Sequence, residues 1–343
     1  MRLRKLAVEE HIKTRKLWEE VFSEDTEAFL DYYYTYIAQE NEIYVIEDAE
    51  RIVSMLHLNP YDMRIVESIY RIHYIVAVAT DAAYRGRGLM RQLLTHAMTE
   101  MYLRKEPFTF LMPAAEAIYR PYDFRYIYEQ ERGVIVSENM QMPGVRIQDA
   151  TEDDCTKIAE FSNEMLKKQQ VVVRRDSKYY AHMIQEQQSE QGQVVMIFRE
   201  EELRGVFFYA KGEQIEIREP IFVEEAEWKQ AVYLLIEKEG VPVQCHGFGE
   251  GKHPIIMARI LDIETMLKNI PLTKDIDMYI RVKDTYLPRN DGVFHIKGTK
   301  VAGIELVDRV DDASVVCEEV KIAELTQQVF AKAFPQVFIN EVV

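Results

Sequence analysis

Residues 76–91 of the 343-residue chain read Val-Ala-Val-Ala-Thr-Asp-Ala-Ala-Tyr-Arg-Gly-Arg-Gly-Leu-Met-Arg, and they constrain the fold more than any other segment. An apolar strand leads through a short turn into Arg85-Gly86-Arg87-Gly88, and a helix opens at Leu89. Beyond Met90 and Arg91, the apolar residues Leu93, Leu94, Ala97, Met98 and Met101 keep helical spacing, so the loop runs straight into a helix N-terminus. Two glycines let the backbone approach a ligand and turn its N–H groups inward. Free amides and the positive end of the helix dipole suit phosphate oxygens. The segment therefore predicts a ligand that carries a pyrophosphate.

The residues around the loop narrow the ligand. A Walker loop requires Lys-Ser/Thr after its last glycine, where this chain has Leu89-Met90. A dinucleotide fingerprint requires a third glycine and an acid about twenty residues on. Position 90 is Met, and the next strand, Phe108 to Met112, ends without an acid. The strand, Arg-Gly-x-Gly and helix instead resemble the acetyl-CoA loop of the GNAT N-acetyltransferases. The flanking order agrees with that resemblance. Helical patterns at 9–22 (Ile12, Leu17, Val21) and 27–38 precede strand-like runs near 42–47, 51–59 and 69–80. After the loop helix come a strand at 108–112, a short helical segment and a strand near 125–136.

That short segment contains Ile118-Tyr119-x-x-x-Asp123-Phe124, which resembles the family's aromatic-Tyr-x-x-x-Gly-Phe pattern, with Asp123 in place of glycine. The resemblance implies that Tyr119 is the general acid toward the departing thiolate of CoA. A phenol suits the task, because its ordinary pKa of about 10 lies a little above that of a thiol.

Composition bounds the remaining readings. The length suggests two or three domains, and no apolar run approaches a membrane span. The start, Met1-Arg2-Leu3-Arg4-Lys5, lacks a signal-peptide core, so a cytoplasmic location is expected. Cys155, Cys245 and Cys317 have neither metal nor redox spacing, and the eight histidines do not cluster apart from His246 and His253. No metal is expected. A net charge of −16 argues against nucleic acid or an anionic membrane as partner; its field would attract cationic small molecules, while charge by itself is accounted for by solubility. Within Ser23-Glu24-Asp25-Thr26-Glu27, the turn between the first two helices, Glu24, Asp25 and Glu27 are candidate ligands for the ammonium group of a substrate.

A second unit begins near Gly144, where Val145 to Ala150 and an acid-capped helix repeat the style of the N-terminus. Runs at 193–198, 204–210 and 214–223 read as three strands followed by a helix at 226–236. The junction before that helix, Val223-Glu224-Glu225-Ala226-Glu227-Trp228, has three acids and no glycine, so it would repel a phosphate. A third unit shows strand patterns at 278–282, 292–297, 303–308 and 314–320, expected to form one antiparallel sheet. A helix bearing Ile322, Leu325, Val329 and Ala333 follows, and then an apolar tail that is expected to be buried.

With Met257-Ala258-Arg259-Ile260-Leu261-Asp262-Ile263 at the junction, the whole chain resembles the Eis-like acetyltransferases. That resemblance implies an α/β (α+β) architecture of two tandem GNAT-type mixed-sheet domains, the second degenerate, followed by a small sterol-carrier-protein-like domain. The divisions fall at 1–140, 141–268 and 269–343. It implies acetyl-CoA contacts at Val78, Ala79, Thr80, Arg85, Gly86, Arg87, Gly88, Leu89, Met90, Arg91, Ala114 and Ala115. The amide of Val78 would polarise the thioester carbonyl, and the α-carboxylate of Val343 would serve as general base. It further implies a homo-oligomer, a hexamer, and an amine acceptor that is an aminoglycoside, a polyamine or a lysine side chain. Two other readings stay open: a non-catalytic acetyl-CoA sensor or scaffold, and a carrier of hydrophobic ligands through the last domain.

Overall fold

The N-terminal residues, where Met1 and Leu3 are the apolar members beside three cations, form a strand that no sequence pattern announces. β1 (Arg2–Lys5) is held by charge: Arg4 donates to Glu47 and to Glu10, both at 2.7 Å. The computed structural model describes residues 1–135, 142–212, 214–240, 243–249, 251–310 and 315–341. The helix expected over 9–22 is split into a 3₁₀ segment, Val8–Thr14, and α1 (Arg15–Val21). Three residues per turn bring His11 and Thr14 inward and leave Ile12 54% exposed, against the expectation for Ile12. The second helix is α2 (Glu27–Tyr32), prolonged by a wider π-type turn over Tyr33–Ile37.

β2 (Glu42–Asp48), β3 (Arg51–Ile65) and β4 (Ser68–Thr80) form an antiparallel meander on β1. α3 (Leu89–Leu103) then crosses to β5 (Phe108–Leu111), which is parallel to β4. The five apolar residues predicted for the inner face of α3, from Leu93 to Met101, are all 0% exposed. α4 (Glu116–Tyr119) and β6 (Arg125–Ile135) follow.

The next stretch follows a similar order, with a strand added between its first two helices and no described counterpart of α4. It comprises β7 (Val145–Asp149), α5 (Cys155–Met165), β8 (Val171–Val173), α6 (Ser177–Ser189), β9 (Gln193–Arg199), β10 (Glu202–Lys211) and β11 (Ile215–Phe222). α7 (Glu225–Glu239) then crosses to β12 (Val243–His246), parallel to β11 as β5 is to β4, and β13 (Gly251–Ile260) ends the stretch. β8, α6 and β12 carry no signal that the sequence reading found.

One sheet joins both stretches, in the order β1-β2-β3-β4-β5-β13-β6-β12-β11-β10-β9-β7. β13 thus enters between β5 and β6, antiparallel to both, and β6 pairs in turn with β12. The arrangement is a mixed sheet of GNAT type, and the α/β class is as expected.

After α8 (Ile263–Lys268), the strands β14 (Ile276–Lys283), β15 (Gly292–Thr299), β16 (Gly303–Val310) and β17 (Glu318–Lys321) form a separate sheet, ordered β16-β15-β14-β17. It is not wholly antiparallel, because β17 crosses to the far side and lies parallel to β14. α9 (Ile322–Lys332) packs this part against the large sheet, with the Phe108 and Phe330 rings 5.1 Å apart. Arg259 of β13 reinforces the joint. Completely buried, it donates to the Tyr122 carbonyl at 3.1 Å and pairs with Asp284 at 2.5 Å. Of the tail, Phe334 and Ile339 to Glu341 are buried as expected, Pro335 and Gln336 are exposed, and half-buried β18 (Val337–Phe338) lies parallel to β8.

Candidate active site

β4 carries a bulge in the middle of the segment that the sequence singles out. Its register with β3 runs from Val76 opposite His57 to Ala79 opposite Met55, so Leu56 faces two residues, Ala77 and Val78. Ala77 takes up the extra length at φ 51°, a left-handed conformation that side chains disfavour. On its other side β4 pairs with β5 only through Tyr74 and Phe110. Beyond that point the two strands part. The edge from Ile75 to Thr80 is therefore left without a ladder on the β5 side, as a strand-like ligand requires.

The chain leaves β4 through Asp81, which accepts from the Ala83 amide at 2.8 Å and pairs with Arg51. Tyr84 donates to Asp48 at 3.0 Å, and the Arg87 guanidinium lies 4.7 Å from the centre of its ring. Gly86 and Gly88 have φ of 77° and 76°, and a Cβ on either would meet nothing within 4 Å. Left-handed backbone, not crowding, is what calls for glycine here. Gly88 caps α3, whose first internal bond runs from the Gln92 amide to the Gly88 carbonyl at 3.2 Å. The preceding amides, Gly88 to Arg91, therefore have no partner within the helix and face outward beside exposed Arg85 and Arg91. These residues fit a pyrophosphate.

A cavity of about 770 Å³ lies between the open β4 edge and this loop. Of the residues singled out from sequence, Val78, Ala79, Thr80, Arg85, Gly86, Gly88, Leu89, Met90, Arg91, Ala114 and Tyr119 line it. Arg87 packs on Tyr84 outside it, and Ala115, the N-cap of α4, is not among its lining residues. Tyr119 ends α4 at 9% exposure, its ring 6.1 Å from that of Phe124. Burial pushes its phenol up to about 12. Asp123, where the pattern has glycine, adopts φ 68°. That position needs a left-handed residue, and Asp is among the side chains that tolerate it best.

The acidic turn borders this cavity and a second one of about 380 Å³. Glu24 and Asp25 line both, whereas Glu27, exposed in the first turn of α2, lines neither. Asp25 accepts from the Trp18 indole at 2.6 Å, and burial raises its pKa. The far wall of the second cavity comes from later in the chain and includes Glu186, Arg218, Glu219 and Asn340. Burial lifts the fully enclosed Glu186 carboxyl to about 8, and its oxygen accepts from Tyr32 at 3.4 Å. Arg218 is held by Glu190 at 2.7 Å and Glu216 at 3.0 Å. No sequence signal places Glu186 or Glu219 in this site, because the two units must meet before either carboxyl faces the first unit. Val343 lies outside the described residues, which end at Glu341. Among the described residues no cluster of His, Cys, Asp or Glu could hold a metal ion, and His246 pairs with Glu216 at 3.0 Å.

A family profile described as an acetyltransferase (GNAT) domain matches residues 2–127, which hold the bulged strand, the glycine loop and Tyr119. These residues form a GNAT acetyltransferase domain. No curated protein sequence matches the chain. Among solved structures, the fold is similar to a conserved protein of unknown function from Enterococcus faecalis V583, a probable N-acyltransferase. That likeness has 18% identity and a TM-score of 0.82, over 96% of this chain and 89% of the other. A GCN5-related N-acetyltransferase from Anabaena variabilis shares 14% identity at a TM-score of 0.76, over 99% of this chain and 98% of that one. Eis1 from Mycobacterium abscessus shares 14% at 0.65, over 95% and 89%. The likeness to each spans the units on both sides of the GNAT domain's end. Among the described residues no helix is long and apolar enough to cross a membrane.

Proposed function

We propose that the protein transfers an acetyl group from acetyl-CoA to a primary amine of a cationic acceptor. The observation that carries this reading is the convergence, on one cavity, of the open β4 edge, the glycine-loop amides and the Tyr119 hydroxyl. Bound acetyl-CoA would supply an activated acyl group. The amides of Gly86 to Arg91, with Arg85 and Arg91, would hold its pyrophosphate, and residues 75–80 would pair with its amide-bearing arm. The Val78 amide, beside the bulge, would polarise the acyl carbonyl. Tyr119, protonated through the physiological range, would give a proton or a strong hydrogen bond to the departing sulfur.

The acceptor would come from the opposite side, past Glu24 and Asp25, through the second cavity. Its attacking amine must be neutral, whereas alkylamines are protonated at pH 7. We assign the base role to the α-carboxylate of Val343. The buried course of the tail to Glu341, beside that cavity, supports the assignment. Carboxylates along the route favour aminoglycosides, polyamines or lysine side chains. Within the same reading, residues 1–140 are the catalytic unit, 141–268 a degenerate GNAT-like unit and 269–343 a sterol-carrier-like scaffold for the tail. The enzyme is cytoplasmic and a homo-oligomer, which sedimentation would size against the expected hexamer.

The test is CoA release from acetyl-CoA across aminoglycosides, polyamines, lysine peptides and arylalkylamines, with acetyl-CoA binding measured in parallel. Turnover with one group establishes the reaction and its acceptor. Bound acetyl-CoA without turnover on any amine would overturn the enzymatic reading in favour of a sensor.

A further inference from the structure

The chemistry above leaves unused a buried ion cluster at the foot of the tail. Arg175, which follows β8, has a side chain 0% exposed and pairs with two carboxylates, Glu219 and Glu341, the latter at 3.2 Å. Its guanidinium lies 5.1 Å from the centre of the Tyr179 ring and 5.3 Å from that of Phe338. Tyr179 also donates to Glu341 at 3.4 Å. Two of these partners, Phe338 and Glu341, belong to the tail, and Glu219 and Tyr179 belong to the second unit.

Glu219 stands at a bulge. The register of β11 with β10 passes from Arg218 opposite Phe208 to Ile221 opposite Val206, and Glu219 absorbs the extra residue at φ 56°. The second unit thus keeps, at the strand that corresponds to β4, the same irregularity that Ala77 makes at φ 51°. In the first unit the bulge presents backbone to the cavity. In the second it carries a carboxylate inward to Arg175.

A buried ion triad is a poor device for stability, since packed apolar residues would often serve as well or better. Its usual merit is register. Apolar contacts such as Ile339 at 0% exposure, two ladder positions with β8 and the Gln170 amide bond to the Gln336 carbonyl at 2.7 Å are of kinds that a shifted register could form again, so they leave the tail free to slide. A charge that finds its partner at one position alone forbids the slide. We infer that Arg175, braced by Glu219, is a positioning residue that fixes how deep the C-terminal tail seats between the two units. Its kinetic consequence rests on the acetyl-transfer reading; the seating itself does not.

The experiment compares the full chain with Arg175→Met, Arg175→Lys, Glu341→Gln and a chain ending at Asn340. Hydrogen exchange over residues 337–341 is read together with kcat and the KM for acetyl-CoA. Breaking one partner of a buried pair should loosen the tail by roughly a hundredfold in Arg175→Met, with a smaller change in Arg175→Lys. In Arg175→Met, kcat should fall to that of the shortened chain, KM for acetyl-CoA should stay within about twofold, and joining the two changes should add nothing. Unchanged tail exchange in a folded Arg175→Met overturns the inference, as do additive losses. Should that variant not fold, Glu341→Gln decides in its place: it must loosen the tail, and an unaltered tail refutes the clamp. A wild-type chain that acetylates no amine would overturn the proposed function while the exchange data still judge the clamp.

Discussion

Tyr119→Phe removes one oxygen and leaves the ring on Phe124, so it separates chemistry from structure cleanly. Among the described residues the Tyr119 hydroxyl has no hydrogen-bond partner, so its loss orphans no buried group. Stability should change by no more than about 0.5 kcal/mol. The catalytic loss is bounded by what a general acid contributes, roughly 10²–10⁴-fold. A thiolate is a fair leaving group, with a parent pKa of about 8.5, so the lower end applies: about a hundredfold, or ~2.7 kcal/mol in the barrier. The pH dependence carries a second signature. Burial holds the phenol protonated up to about 12, so the wild-type kcat should show no alkaline limb from this group below pH 10. An unshifted phenol would begin to lose its proton above pH 9. CoA release, followed by a thiol reagent from pH 6 to 10, and calorimetric binding of acetyl-CoA supply the measurements. A Tyr119→Phe variant that keeps kcat within threefold would refute the general-acid role. A loss matched by weaker acetyl-CoA binding would refute it equally, as would a wild-type alkaline limb near pH 9 that disappears in the variant.

Four further outcomes follow from other parts of the molecule. The folded state holds a proton on Glu186 up to about pH 8, whereas the unfolded chain releases it near 4.5. The associated stability is therefore full below about pH 4.5 and is lost as pH rises through 8. Glu186→Gln should gain on wild type by about 4 kcal/mol between pH 5 and 9 in urea unfolding, and a flat difference would refute this. Arg259→Met strands Asp284, which keeps three other donors (Tyr286 N, Leu287 N, Asn290 Nδ2), so the loss in urea unfolding should be near 3 kcal/mol; a loss under 1 kcal/mol would count against the joint. Asp123→Gly relieves a left-handed side chain and should stabilise by about 0.5–1 kcal/mol, visible as a raised Tm. Gly192→Ala would set a Cβ 1.6 Å from the Tyr209 carbonyl oxygen and should cost more than about 3 kcal/mol, whereas Gly88→Ala, with open space, should cost about 1.

The parts legible in sequence are those whose physics is local. The loop is legible because two glycines, a strand and a helical period all lie within the twenty-six positions from Val76 to Met101, and Leu93 to Met101 fall on the buried face. Asp123 looked like a lapse in the pattern until its φ of 68° showed what the pattern demands. The bulge at Ala77 was hidden, since alanine carries no mark of a left-handed backbone. Glu219 left a fainter trace, the proline that follows it inside a strand, which argues for an irregular ladder. Ile12 misled because the segment winds as a 3₁₀ turn. Glu186 and Arg175 were out of reach, since their partners lie 154 and 166 residues away at Tyr32 and Glu341.

The placement of β13 between β5 and β6 bears on how the protein is made. When a ribosome has released residues 1–140, β5 still lacks the neighbour on its outer edge, because that neighbour ends at Ile260. β6 then has neither of its flanking strands. The first unit is left with a bare sheet edge for as long as more than a hundred further residues take to emerge, about 6–25 s at usual rates of synthesis. Folding to completion is therefore a joint event of both units, and a gene cut at their boundary should yield an aggregating fragment, not a smaller enzyme. Coexpressed halves, in contrast, carry every strand that the shared sheet requires.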